Sequence, residues 1–208
     1  MSPGVQGQAL RAKQAAIGRR QTGIYLPSRH KSGTQEDANR FGKLALVEKG
    51  GKVVSLLKRV EPRLEQLTII PRASIPMLHA KLRGYDRLLP LPLLGDGMAP
   101  LASLALAIAN AEGDIVLVDE IENGLHHTVM KKVWSGIADF AQEFNVQIFA
   151  TTHSEECVRS AHEAFSAEEK YDFGLHRLER VKDGDEIRVV TFDQETLGIA
   201  LVKGFEVL

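Results

Sequence analysis

At 208 residues, with 44% apolar and 25% charged side chains, the chain can bury one good core and has an ordinary globular composition. A net charge of −1 gives no global pull toward nucleic acid or a membrane, and the longest apolar runs fall short of the ~18 residues that span a bilayer. The single cysteine, Cys157, excludes an internal disulfide and a thiolate metal cluster, so the sequence predicts a cytoplasmic chain with no membrane partner and Cys157 as a buried apolar filler.

Residues 1–23 form a basic start rich in Gly, Gln, Ala and Arg, with a short helix expected over Ala9 to Ile17. No acid occurs before Glu36, while Arg11, Lys13, Arg19, Arg20, Arg29 and Lys31 do. A solvated surface is the simplest reading, and contact with DNA phosphates or a transit-peptide character are the alternatives. Ile24 to Leu26 reads as a short strand. Thr34 and Asp37 make a T-x-x-D helix start, and Phe41, Leu44, Ala45 and Val47 continue its apolar stripe until Gly50-Gly51 stops it. Val53, Leu56, Leu57 and Val60 repeat the helical spacing as far as Pro62. Leu67 to Ile70 predicts a strand. Leu78, Ala80 and Leu82 alternate with His79, Lys81 and Arg83, so this strand is expected half exposed with His79 in solvent. Gly84-Tyr85-Asp86 would return the chain through Leu88-Leu89 as a hairpin.

From residue 91 the pattern changes. Met98 to Ala111, dominated by Ala and Leu, predicts a helix. Ile115 to Val118 and Val146 to Ala150 are apolar runs expected to be buried strands. The helix between them carries Met130, Val133, Trp134, Ile137, Phe140, Ala141 and Phe144 on one face, so strand, helix and strand predict a right-handed crossover and parallel pairing. Ser154 caps a further helix. Phe173 to Arg180 and Glu186 to Phe192 flank Asp183-Gly184-Asp185 as an antiparallel hairpin, and Asp193 starts a last helix through Val202.

The chemistry concentrates at two strand ends. Asp119 and Glu120 leave the first apolar run together, and adjacent carboxylates repel unless a cation joins them. In phosphate hydrolysis the first acid can position Mg²⁺ and the second can orient or deprotonate the attacking water. Thr151-Thr152-His153 ends the neighbouring strand, where His153 could hydrogen-bond a γ-phosphate or that water. Gly95, Asp96, Gly97 and Met98 open a helix, where close backbone approach and free N–H groups favour an anion. An ordinary turn, a structural histidine and a solvated acid pair are the plain alternatives. His126 and His127 are adjacent and expected to diverge on a helix, without the partners a zinc site needs.

Taken in order, G-D-G-M, I-V-L-V-D-E-I-E-N-G-L-H and F-A-T-T-H-S resemble the stand-alone bacterial AAA-type ATPases of the ABC-ATPase class, relatives of the overcoming-lysogenization-defect ATPases. The resemblance covers residues 24–208. It implies an α/β, P-loop NTPase-like (ABC-type) three-layer core with parallel strands, a helical N-terminal insertion and a C-terminal antiparallel hairpin. Residues 24–90 would be the helical and hairpin part of the ATPase domain, and residues 91–208 its core. The implied cofactors are ATP and Mg²⁺. Asp119 would be the magnesium residue, Glu120 the catalytic glutamate and His153 the switch histidine. Gly95, Asp96, Gly97 and Met98 would form the signature motif facing ATP held by the opposite subunit. Asn123 and Gly124, within residues 122–126, would lie in the D-loop at a dimer interface.

One motif of that class is not in these 208 residues. A phosphate-gripping loop reads G-x-x-x-x-G-K-[S/T], whereas Gly42-Lys43 and Gly51-Lys52 lack the earlier glycine and are followed by Leu44 and Val53. Without about five charge-assisted hydrogen bonds, ~7 kcal/mol or more is lost from a micromolar site that holds ~8 kcal/mol. ATP binding by the chain alone is therefore expected to be negligible. The chain is thus expected to be the C-terminal part of such an ATPase, and two readings stay open: an ATP-hydrolysing domain acting as a nucleotide-dependent homodimer, and a catalytically inactive module or truncated fragment pairing with an intact ATPase, a nuclease or another effector. A nuclease reading of Asp183 and Asp185 competes with a solvated turn. Phage defence, DNA maintenance and toxin control are all compatible processes.

Overall fold

The computed structural model describes residues 23–28, 35–95, 97–180 and 186–208. The expected helix over Ala9 to Ile17, the basic side chains at positions 11–31, Thr34, Asp96 and the Asp183-Gly184-Asp185 tip lie outside the described residues.

A parallel sheet positions the candidate site. Its strands are β1 (Ile24–Leu26), β5 (Ile115–Val118) and β6 (Gln147–Ala150), in the order β1-β5-β6. Between β1 and β5 the chain makes α1 (Gln35–Leu46), α2 (Gly50–Leu57), β2 (Leu64–Arg72), β3 (Ile75–Leu82), β4 (Leu89–Pro90), one 3-10 turn and α3 (Met98–Asn110). The crossover from β5 to β6 is α4 (His127–Glu143). After β6 come α5 (Glu155–Phe165), the antiparallel pair β7 (Leu175–Arg180) and β8 (Ile187–Phe192), and α6 (Gln194–Lys203). The α/β class, the parallel pairing and the C-terminal hairpin match the sequence reading.

Helix α3 is the centre of the core. Its Leu and Ala residues carry high helix propensity and no polar atom that must be satisfied, so it can be buried on nearly every side. It packs against α1, α2, α4 and β1. The exception proves the rule of polar satisfaction: the Ser103 hydroxyl lies 2.6 Å from the Asp37 carboxylate of α1, and Arg40 sits beside Asp37 and Glu36. Ser154 caps α5 by accepting from the Cys157 N–H, and Asp193 and Thr196 form a reciprocal capping box on α6.

Several expectations need correction. Gly50-Gly51 does not stop α1; that helix ends at Leu46, Glu48 turns left-handed, and the glycines open α2. Strand β2 pairs with β3 through a tight turn whose central residues, Ala73 and Ser74, both hold positive φ without a glycine. Strand β3 is thereby the middle strand of the order β2-β3-β4, and α1 packs on it. His79 is only 7% exposed, not solvated, with Nδ1 3.1 Å from the Met77 carbonyl oxygen.

The largest correction concerns the apolar runs. Strands β5 and β6 are not buried on both faces. Val116, Val118 and Ile148 face the core, but Leu117 and Phe149 point the other way at 42% and 51% exposure. Leu117 pairs with Phe149 on one side and with Tyr25, 56% exposed, on the other. An apolar stripe of half-exposed side chains therefore crosses all three strands.

Candidate functional site at the strand ends

The carboxyl ends of β5 and β6 lie side by side because Val118 and Ala150 are register partners. Pairing continues past the strands as a set of side-chain and backbone bonds. The Thr151 N–H donates to the Val118 carbonyl oxygen at 2.9 Å, and the Ile121 N–H donates to the Thr151 carbonyl oxygen at 3.1 Å. Between them, the Thr151 hydroxyl donates to Asp119 Oδ1 at 2.6 Å and accepts from the Glu120 N–H at 2.9 Å. Glu122 Oε1 accepts from the His153 N–H at 2.9 Å. The acids and the histidine of the sequence reading are thus brought together by Thr151, which it gave no role, and by Glu122, which it placed only in the D-loop.

Glu120 carries backbone strain. Its φ is +52°, a left-handed conformation that costs a non-glycine residue about 1–2 kcal/mol. Three contacts hold it there: the Thr151 hydroxyl on its N–H, the Asn123 N–H on its carbonyl oxygen at 2.9 Å, and the Asn123 amide on Oε2 at 2.6 Å. The same Asn123 amide lies 3.3 Å from the Ser28 carbonyl oxygen, tying the turn to the end of β1.

Asp119 is held ionised. Its pKa lies below the ordinary carboxylate value, first because of the Thr151 hydroxyl, with burial opposing, and then because of Ser28 and the nearby His153. Its backbone N–H donates to the Leu26 carbonyl oxygen at 2.9 Å. Among the described residues, no three of His, Cys, Asp and Glu converge to hold a metal unaided. One ionised carboxylate flanked by hydroxyls does suit Mg²⁺, which keeps most of its waters and takes phosphate oxygens for the rest. His126 and His127 do not diverge as expected. His126 is the N-cap of α4, and the two rings lie against each other with centroids 4.1 Å apart, tilted by 33°.

The glycine turns meet beneath the acids. Gly97 and Gly124 hold φ of +97° and +75°; a Cβ on Gly97 would lie 3.0 Å from the Gly124 carbonyl oxygen, and one on Gly124 would lie 2.9 Å from Pro100. Both positions therefore require glycine on conformational and steric grounds. A 60 Å³ cavity connects the start of α3 to the acids, lined by Pro100, Asp119, Glu120 and Asn123 among others. Gly95 is exposed at φ +103°. Met98 is different: its side chain is core at 3% exposure, and its N–H is 3.4 Å from the Gly95 carbonyl oxygen. Of the Gly-Lys pairs, Gly42-Lys43 lies inside α1 and Gly51-Lys52 in the first turn of α2, so neither follows a strand. A second, larger groove of about 1370 Å³ begins at Asp119, Thr151 and His153 and continues beside β6 to α5 and β7.

The chain is similar to several known proteins. The solved structures include one from work on ATP-driven dimerisation and DNA-stimulated activation of SMC ATPases, at 19% identity and a TM-score of 0.51, with 73% of this chain and 88% of that chain covered. An Smc head domain derived from Pyrococcus yayanosii matches at 20% identity and a TM-score of 0.48, over 74% of this chain and 28% of that one. A curated Helicobacter pylori protein described as an ATP/GTP phosphatase is 31% identical over 84 residues. That match takes in 39% of this chain and 23% of the relative, so the chain spans about a quarter of its length. The family model described as "AAA domain, putative AbiEii toxin, Type IV TA system" matches residues 12–159, which include both the acid pair and His153. With most of its length under that match, the chain belongs to this AAA domain family, and its fold is similar to that of the SMC ATPase structure.

Proposed function

We propose that the chain carries the hydrolytic residues of an ATPase that works as a nucleotide-dependent pair. Asp119 would hold Mg²⁺ against the phosphate oxygens, and the ion would supply charge neutralisation on the γ-phosphoryl group. Glu120 takes the proton of the attacking water as its oxygen bonds to the γ-phosphorus and the bond to the β,γ-bridging oxygen breaks, leaving ADP and phosphate. His153 hydrogen-bonds the phosphoryl oxygens, while Gly95–Met98 and Asn123–Gly124 face the nucleotide from across the interface.

The observation that carries this reading is Glu120. Its left-handed backbone is kept by three hydrogen bonds, and a module that only binds would have no use for a strained, carefully held carboxylate at this place. The experiment is Mg²⁺-dependent ATP hydrolysis by the 208-residue chain, alone and mixed with an intact member of the family. Activity above that of the intact member alone, lost in Glu120→Gln, is the expected result. A second reading is a non-catalytic partner, supported by the close Gly97–Gly124 approach, a packing feature that does not itself require catalysis by the acids. Nucleotide-dependent association that is indifferent to Glu120→Gln, with no added hydrolysis, would select it.

A further inference from the structure

Thr151 occupies an unusual place in the hydrogen-bond pattern. It makes four bonds, and they go to four consecutive residues: Val118, Asp119, Glu120 and Ile121. The Thr151 N–H bond to Val118 continues the parallel ladder, whereas the Thr151 carbonyl receives the Ile121 N–H in place of the Glu120 N–H that the ladder would bring there. The other two use one hydroxyl in both directions, donating to the Asp119 carboxylate and accepting from the Glu120 N–H. Only Ser or Thr can do this at the position, because the side chain must be short and must both donate and accept.

We propose that Thr151 is the positioning residue of the hydrolytic pair: its hydroxyl fixes the carboxylate of Asp119 and the left-handed backbone of Glu120 relative to each other. Glu122 extends the same clasp to the histidine loop, since its Oε1 receives the His153 N–H. The loops after β5 and β6 are then joined residue by residue, so a displacement of His153 is carried to the acids. Glu122 Oε2 is buried with no hydrogen-bond partner among the described residues, which leaves the clasp a further acceptor facing the same junction. The purpose assigned to the clasp rests on reading Asp119 and Glu120 as the hydrolytic groups; the clasp itself does not.

The test separates the two. Thr151→Val keeps the shape and removes the hydroxyl, while Thr151→Ser keeps the hydroxyl. Amide hydrogen exchange in the nucleotide-free 208-residue chain reads the clasp directly. Loss of one hydrogen bond is expected to speed exchange at the Glu120 N–H about fivefold in Thr151→Val, with Thr151→Ser close to the parent. Glu122→Ala should free the His153 N–H and leave that of Glu120 protected. In the hydrolysis assay described above, misaligned acids are expected to lower kcat about 100-fold in Thr151→Val with KM unchanged, and Thr151→Ser should recover most of it. Equal exchange at Glu120 in the Val and Ser variants would overturn the proposal, as would equal turnover in the two. Should the parent chain add no hydrolysis, the proposed function fails, and the exchange comparison still decides the clasp.

Discussion

The same three-stranded sheet is finished at its carboxyl end and bare on one face. At the carboxyl end, Asp119, Glu120, Ile121 and His153 are pinned by Thr151 and Glu122 across a gap of one strand spacing. A few residues back along the same strands, Tyr25, Leu117 and Phe149 hold an apolar stripe open to solvent. Parallel sheets are built to be covered on both faces. The contrast teaches that the polar loops at the strand ends are bonded to one another, while the apolar scaffold beside them has a buried side and a half-exposed one. The covered side is where most of the buried core lies, and the strand ends are where the proposed chemistry would take place.

That division can be broken at several points. The largest effect is expected in the core. Leu106→Ala, at the middle of fully buried α3, should cost about 2–5 kcal/mol in denaturant unfolding because it removes contacts and leaves a cavity. Next comes the turn beneath the acids. Gly124→Ala must hold φ +75° against Pro100 and should lose about 1–2 kcal/mol, read as a lower midpoint of unfolding.

A smaller effect is expected at the aromatic wall of the groove beside β6. Burial, with Asp193 adding to it, pushes the Tyr171 phenol up to about 12 from 10.0. The unfolded chain therefore loses this proton first as pH rises. The contribution is fully present below pH 10 and disappears as pH climbs through about 12. Unfolding measured across that window should show the slope, and Tyr171→Phe should flatten it. The smallest effect belongs to the open face. Phe149→Ser should change stability by no more than about 0.5 kcal/mol, since its side chain is 51% exposed. A loss of several kcal/mol there would mean that the stripe is covered, and the contrast between face and strand end would not hold.

How much of this could be read from the residues depends on the range of the interactions involved. Strands β5 and β6, helix α4 and the caps of α5 and α6 were legible because period, capping residue and apolar run are local signals. The β2–β3 turn was not, because Ala73 and Ser74 hold positive φ without the Asn or Gly that announces such a turn. His79 looked solvated because alternation along one strand says nothing about what covers its second face. An uninterrupted run such as Ile115–Val118 likewise reports that both faces can be buried, not that both are. At the site, Asp119, Glu120 and His153 announced themselves by type and place. Thr151, Ser28 and Glu122 did not, since their roles exist only when the ends of three strands come together. The one signal that could have pointed to Thr151 was a hydroxyl residue at the end of an apolar strand beside the strand bearing the acids.

The most direct test is a hydrolysis assay in which the chain's own acids are the only competent ones. An intact family member with its own catalytic glutamate changed to glutamine supplies the phosphate-gripping loop, and ATP and Mg²⁺ are added. The account predicts that the parent 208-residue chain restores ATP hydrolysis to this mixture and that Glu120→Gln does not. No restoration by the parent chain, or equal restoration by Glu120→Gln, would contradict it.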